Sequence, residues 1–209
     1  MSAWTWTVVK AKHIPNDILI KLCDYIIENR TSVWYYKEGI VDFDDTLSKW
    51  LKMHQDDYDY FVKDCGVPPE HMTKEYLTDE LIKRIDDIKL YVDDIKLVKE
   101  GKLTLDECFR KYKAWKKLGT PSCYYIKNTV WVGLPYEIFR LREYSDMGVE
   151  DGLQTVDDLI DYLKNENKQS QLRWFENGNT REGMFPEFEQ RLREYYGQFG
   201  DHNFSVHFG

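Results

Sequence analysis

The apolar positions of the chain recur with two periods, about two residues and about 3.6, and the switches between them outline a mixed architecture. Trp4, Trp6 and Val8 alternate with Thr5, Thr7 and Val9, which predicts a strand over Trp4–Lys10 with both faces partly covered. After Pro15, residues Ile18, Leu19, Leu22, Cys23, Ile26 and Ile27 recur at helical spacing. A helix capped by Asn16 is therefore expected through Arg30, and Val33 to Tyr36 reads as a second strand. Leu47, Trp50, Leu51, Tyr58, Phe61 and Val62 predict a helix from Asp44 to Asp64, ended by Gly66 ahead of Pro68 and Pro69. The clearest helical pattern follows between Leu77 and Val98. There Leu81, Ile85, Ile88, Val92 and Ile95 advance by alternating steps of four and three, and Gly101 provides the stop.

Inside that helix the sequence echoes itself. Asp86-Asp87-Ile88-Lys89-Leu90 returns seven residues later as Asp93-Asp94-Ile95-Lys96-Leu97, two heptads and too few for a solenoid. Thr104 with Glu107 forms a capping box for a helix reaching Gly119, so a helical hairpin is expected at about 75–118. From Cys123 to Val132 the chain turns aromatic and β-branched, with Lys127-Asn128 as a hairpin turn. Helices are expected over Tyr136–Tyr144, Val156–Lys164 and Pro186–Tyr196, with Glu176-Asn177-Gly178-Asn179 as a loop between the last two. Phe204, Val206 and Phe208 alternate with Ser205 and His207, a terminal strand apolar enough to need a partner, for which the N-terminal strand is the natural choice. The expected fold is α+β: a small, mainly antiparallel sheet of N-terminal, central (123–132) and C-terminal strands with several helices. We expect one domain over 1–209, from which the hairpin at 67–119 projects.

Composition narrows the functional classes. A chain of 209 residues with 42% hydrophobic and 15% aromatic content, including 7 Trp and 15 Tyr, has ample material for a core. Its 37 acidic against 29 basic residues give a net charge of -8, which disfavours binding to nucleic acid through a general basic surface and favours basic partners. No window approaches the ~18 apolar residues of a membrane span, and Met-Ser-Ala-Trp-Thr-Trp-Thr lacks the charged head and apolar stretch of a signal peptide, so a cytoplasmic location is expected. Cys23, Cys65, Cys108 and Cys123 form no C-x-x-C pair, neither a dense disulfide framework nor a zinc pattern, and read as reduced, mostly buried thiols.

Three stretches carry candidate chemistry. Val41-Asp42-Phe43-Asp44-Asp45-Thr46 resembles the first motif of the haloacid-dehalogenase-type phosphohydrolases. The resemblance implies Asp42 as nucleophile, Asp44 as general acid/base and magnesium to screen the carboxylates. It covers about six residues, and Lys37-Glu38-Gly39 interrupts the apolar run before it. Neither later acidic pair, Glu150-Asp151 nor Asp157-Asp158, follows a strand. The other reading of Asp42, Asp44 and Asp45 is a capped, negatively charged helix start.

The second stretch, Phe109 to Lys117, interleaves five cations, Lys113 and Lys117 among them, with aromatic rings. That combination suits a nucleic-acid backbone and stacked bases, or simply an amphipathic helix whose late cations complement its dipole. The third is the echo, whose Asp86, Asp87, Asp93 and Asp94 offer carboxylates about 10 Å apart to a basic partner. The same aspartates pair at helix spacing with Lys89 and Lys96, as on an ordinary solvated face. The five histidines make no metal pair at helical spacing, and neither a nucleophile elbow nor a glycine-rich phosphate loop occurs.

The expectation is thus a non-enzymatic accessory or inhibitor protein, such as a mobile element carries. It would contact a protein with a basic surface through Asp86, Asp87, Asp93, Asp94, Lys113 and Lys117, without a cofactor. A magnesium-dependent phosphohydrolase and a nucleic-acid binder acting through the basic helix 109–117 are the alternatives.

Overall fold

The computed structural model describes residues 3–31, 42–111, 123–126, 129–134, 139–143, 153–164, 172–176, 179–182 and 185–208. The expected strand at Val33 to Tyr36, the turn at Lys127-Asn128 and the basic run beyond Lys111 lie outside these residues. The fold is α+β, as the two periodicities require. The chain divides into two compact units, one made of residues 1–25 and 98–209, the other of residues 26–97.

The first unit holds the sheet. Strand β1 (Ala3–Lys10) is its centre and pairs antiparallel with three others: β3 (Thr129–Gly133) along Val8 to Lys10, β4 (Phe139–Glu143) at Ala3 and Trp4, and β7 (Phe204–Phe208) along Thr5 to Val9. Strand β2 (Cys123–Ile126) completes a hairpin with β3, Ile126 facing Thr129, and the order continues from β4 through β5 (Leu172–Glu176) to β6 (Asn179–Glu182). Every described pair is antiparallel. Val8 and Val9 point to opposite faces of β1 and both are fully buried, so both faces of this strand are covered. The terminal strand docks beside β1 as its apolar alternation demands, and Phe204, Ser205 and Val206 are buried.

One expectation fails in the middle of this unit. Phe139–Glu143 is a strand where a helix over Tyr136–Tyr144 was expected. Of the loop expected over Glu176-Asn177-Gly178-Asn179, Glu176 ends β5 and Asn179 opens β6, and Asn177 and Gly178 lie outside the described residues. The residues Phe139-Arg140-Leu141-Arg142-Glu143 alternate with period two, but their Arg, Leu and Glu are good helix formers. Pairing of all five with β5 overrides that local preference.

Among the described residues, the unit also holds the greater part of α1 (Asn16–Thr31) and three further helices. In α4 (Leu105–Lys111) the expected capping box is present: the Thr104 amide donates to Glu107 Oε2 at 3.0 Å and the Glu107 amide donates to Thr104 Oγ1 at 3.2 Å. The same device starts α5 (Val156–Leu163), where Thr155 and Asp158 cap reciprocally. Helix α6 (Phe185–Gly197) joins α5 through Arg193–Asp157 (2.9 Å) and Lys164–Glu189 (3.2 Å), and buries Phe188, Leu192 and Tyr196. The Tyr196 ring lies 4.7 Å from Phe204, and its hydroxyl shares a buried 2.5 Å hydrogen bond with Thr7 Oγ1. Burial pushes the Tyr196 phenol above its ordinary range.

The second unit is helical. It contains the last residues of α1 (Asn16–Thr31), α2 (Phe43–Asp56), a π-helical turn at Tyr60–Asp64 and α3 (Lys74–Lys99) up to Leu97. The helix expected over Asp44–Asp64 is regular to Asp56, is interrupted by a turn at Asp57 and continues as helical backbone to Asp64 through the π-helical turn, the Phe61 amide donating to the Asp57 carbonyl at 3.0 Å and the Cys65 amide to the Tyr60 carbonyl at 3.0 Å. Gly66, at φ 68°, then adopts the left-handed conformation that an L side chain resists. Helix α2 is tied to the start of α3 by the Trp50 indole, which donates to the Leu77 carbonyl at 3.0 Å. The Arg84 guanidinium lies 5.1 Å from that ring, and His54 sits between Trp50 and Phe61 with its Nδ1 donating to the Trp50 carbonyl.

Candidate interaction surface

Helix α3 turns one stripe inward and leaves another bare. Leu77, Leu81, Ile85, Ile88, Tyr91, Val92, Ile95 and Val98 are buried, the row that the apolar spacing foretold. At about 100° per residue, the opposite pole carries Asp86, Leu90, Asp93 and Leu97 within roughly 60° of one another. Leu90 is 59% exposed and Leu97 38%, and Ile82 at the edge of the pole is 43% exposed.

The structure thus explains the echo position by position. Its isoleucines, Ile88 and Ile95, enter the core, and its leucines, Leu90 and Leu97, stand at the solvent pole. Asp86 and Asp93 pair loosely with Lys89 and Lys96 at 3.7 and 3.5 Å. Such exposed pairs contribute about 0.2–1 kcal/mol and leave the carboxylates accessible. Asp87 is exposed and Asp94 half-buried on the flank of the same pole.

The surroundings share this character. Among the residues whose side chains the structure describes, the large apolar or aromatic groups that stay exposed, Tyr58, Tyr60, Tyr76, Ile82, Leu90 and Leu97, belong to the second unit. Tyr76 stacks on His71 with ring centres 4.2 Å apart, and a hydrogen bond with Cys65 is the main cause that raises the Tyr60 phenol above its usual value. The charge is equally uneven. Residues 26–97 carry 17 acidic and 10 basic side chains, a net of -7, and the rest of the chain carries 20 against 19, a net of -1. Nearly the whole net charge of the protein therefore sits on the unit that carries these exposed side chains.

The other sequence candidates fall elsewhere. Asp42 is the N-cap of α2: its Oδ1 accepts from the Asp45 amide at 3.0 Å, Asp44 and Asp45 occupy the first turn, and Asp45 pairs with Lys49 at 2.6 Å. That is the geometry of a helix start. Lys113 and Lys117 lie outside the described residues. Among the described residues, no three His, Cys, Asp or Glu side chains are grouped to hold a metal ion, and no helix is long and apolar enough to cross a membrane. Leu90 and Leu97 are not among the contact residues expected from the sequence, which come from the carboxylates of the echo and the basic helix. The signal was there: Leu90 and Leu97 lie two residues after the buried isoleucines, about 200° around the helix.

Comparison with known proteins finds no matching family model, no similar curated sequence and no similar solved structure.

Proposed function

We propose that the chain is a non-enzymatic binding protein, an accessory or inhibitor factor, that docks a basic partner protein on the outer face of α3. The observation that carries this reading is the placement of Leu90 and Leu97 at the solvent pole of a helix in the acidic unit. Exposed leucines among carboxylates lose water favourably when covered by an apolar surface, by about 25 cal/mol per Å2 of area removed from water, and the carboxylates select the sign of charge around that surface. The exposed Tyr58, Tyr60 and Tyr76 add side chains of the kind enriched at interfaces. Nucleic acid suits this face less well, since phosphates meet the net charge of -7 on the same unit.

The test is charge reversal of Asp86, Asp87, Asp93 and Asp94 to Lys, read by capture of partners from the native lysate after nuclease treatment. A stoichiometric basic protein that the unmutated chain retains and the reversed chain loses, with the helical circular dichroism unchanged, supports the reading. Retention of the same partner by the reversed chain overturns it.

A further inference from the structure

We infer that the element recognised by this face is an amphipathic basic helix with apolar residues seven apart, an inference that rests on the docking reading above and specifies its partner. The face is built as a repeat. Tyr76, Lys83, Leu90 and Leu97 form one heptad row, and Asp79, Asp86 and Asp93, three residues after the first three of these, form the next. Along the pole the side chains therefore alternate apolar and acidic from Asp86 to Leu97, with Leu90 and Leu97 about 10.5 Å apart along the axis.

That spacing discriminates among partner conformations. Seven residues of a second helix also advance about 10.5 Å and return to nearly the same face, so two leucine contacts engage together. An extended strand covers the same distance in about three residues, an odd number, so its successive contacts point to opposite sides. A polyproline II segment repeats every ~9.3 Å and drifts out of register by about 1 Å over one repeat.

Charge then chooses among helices. A second copy of this chain would bring a second net charge of -7 against the first, and an acidic helix would meet the same repulsion. A helix with cations three or four residues from its apolar positions places them against Asp86 and Asp93 while its apolar groups cover Leu90 and Leu97. The intrahelical pairs at 3.7 and 3.5 Å are loose enough for the two aspartates to accept such cations.

The experiment uses the full chain and three fluorescein-labelled 21-residue peptides of identical composition, read by fluorescence anisotropy. The first has three heptads with Leu at every seventh position and Lys three residues on; the second has the same residues scrambled; the third has the heptad order with its central residues exchanged for two Pro taken from the termini. The inference expects saturable one-to-one binding of the heptad peptide, at least tenfold weaker binding of the other two, and at least tenfold loss with L90E/L97E. The milder L90A/L97A double variant, checked by circular dichroism, is expected to weaken binding in the same direction without a new charge. Equal binding of the scrambled or Pro-containing peptide, lost in L90E/L97E, overturns the helical partner and leaves the docking face standing. Binding of the heptad peptide that is indifferent to both leucine variants overturns the face itself. Absence of binding by any peptide, beside a native partner captured through Leu90 and Leu97, overturns the helical partner alone.

Discussion

The indole N–H of Trp50 donates to the Leu77 carbonyl 3.0 Å away, and this bond joins α2 to the first turn of the helix that carries the candidate surface. The same ring lies under Arg84 and against His54. Trp50→Phe removes the donor and weakens the cation–π contact, with an expected cost of about 1–2 kcal/mol in urea unfolding. A loss below about 0.3 kcal/mol would show that α3 is held by its buried row alone.

In the sheet unit, Thr7 and Tyr196 share a buried hydrogen bond across 189 residues of chain. Tyr196→Phe and Thr7→Val each remove one side of this buried hydrogen bond, each costing about 1–3 kcal/mol. The double variant removes both groups, so it is expected to be less destabilised than the two single losses added, by about 0.5–3 kcal/mol. Strict additivity in the denaturant midpoints would count against the bond.

Much of this framework was legible beforehand. The period-two runs at both ends of the chain specify β1 and β7, and the requirement to cover Phe204 and Val206 pairs them. The steps of four and three in α3 mark its buried row. Strands β4 to β6 were not legible in the same way, since Phe139–Glu143 is as good a helix as a strand until β5 is beside it. The β5–β6 pair carried only part of a sign: Asn177-Gly178 is a hairpin-turn pair, but the wholly polar Asn179-Thr180-Arg181-Glu182 after it has no apolar alternation. In the candidate surface the carboxylates were visible from the echo. The exposure of Leu90 and Leu97 was legible as well, since the apolar row through Ile88 and Ile95 places them about 200° around α3, on the side away from the core.

Thiol chemistry separates the cysteines. Burial is the main cause that pushes the Cys23 thiol up to about 12, and Cys108 is also buried, while Cys65 is exposed. At pH 8 a disulfide reagent such as dithionitrobenzoate is expected to modify Cys65 within minutes and to reach Cys23 and Cys108 only on unfolding, as read by peptide mass mapping. Rapid modification of Cys23 in the folded chain would contradict its packing.

Acidification should weaken the fold. Hydrogen bonds from Thr104 hold the Glu107 carboxyl below its ordinary value, those from Thr155 do the same for Asp158, and Lys164 and Arg193 do so for Glu189. Burial, then the charges of Lys12 and Lys10, lowers His13 below 6.5. In each case the unfolded chain binds the proton more tightly. The carboxylate contributions are therefore complete above the ordinary carboxyl range and are lost as pH falls through it, and that of His13 is complete above 6.5 and lost below. The urea midpoint is expected to fall slightly from pH 7 to 5.5 and more steeply from 5 to 3.5. A midpoint that rises over that range would contradict these assignments.

Docking on α3 is tested most directly by partner retention on the full chain compared with its Leu90→Glu/Leu97→Glu variant, in parallel captures from native lysate with folding checked by circular dichroism. One stoichiometric basic protein is expected on the unmutated chain, and at least tenfold less of it on the variant. Equal retention on a folded variant would contradict the claim that the outer face of α3 is where this protein binds.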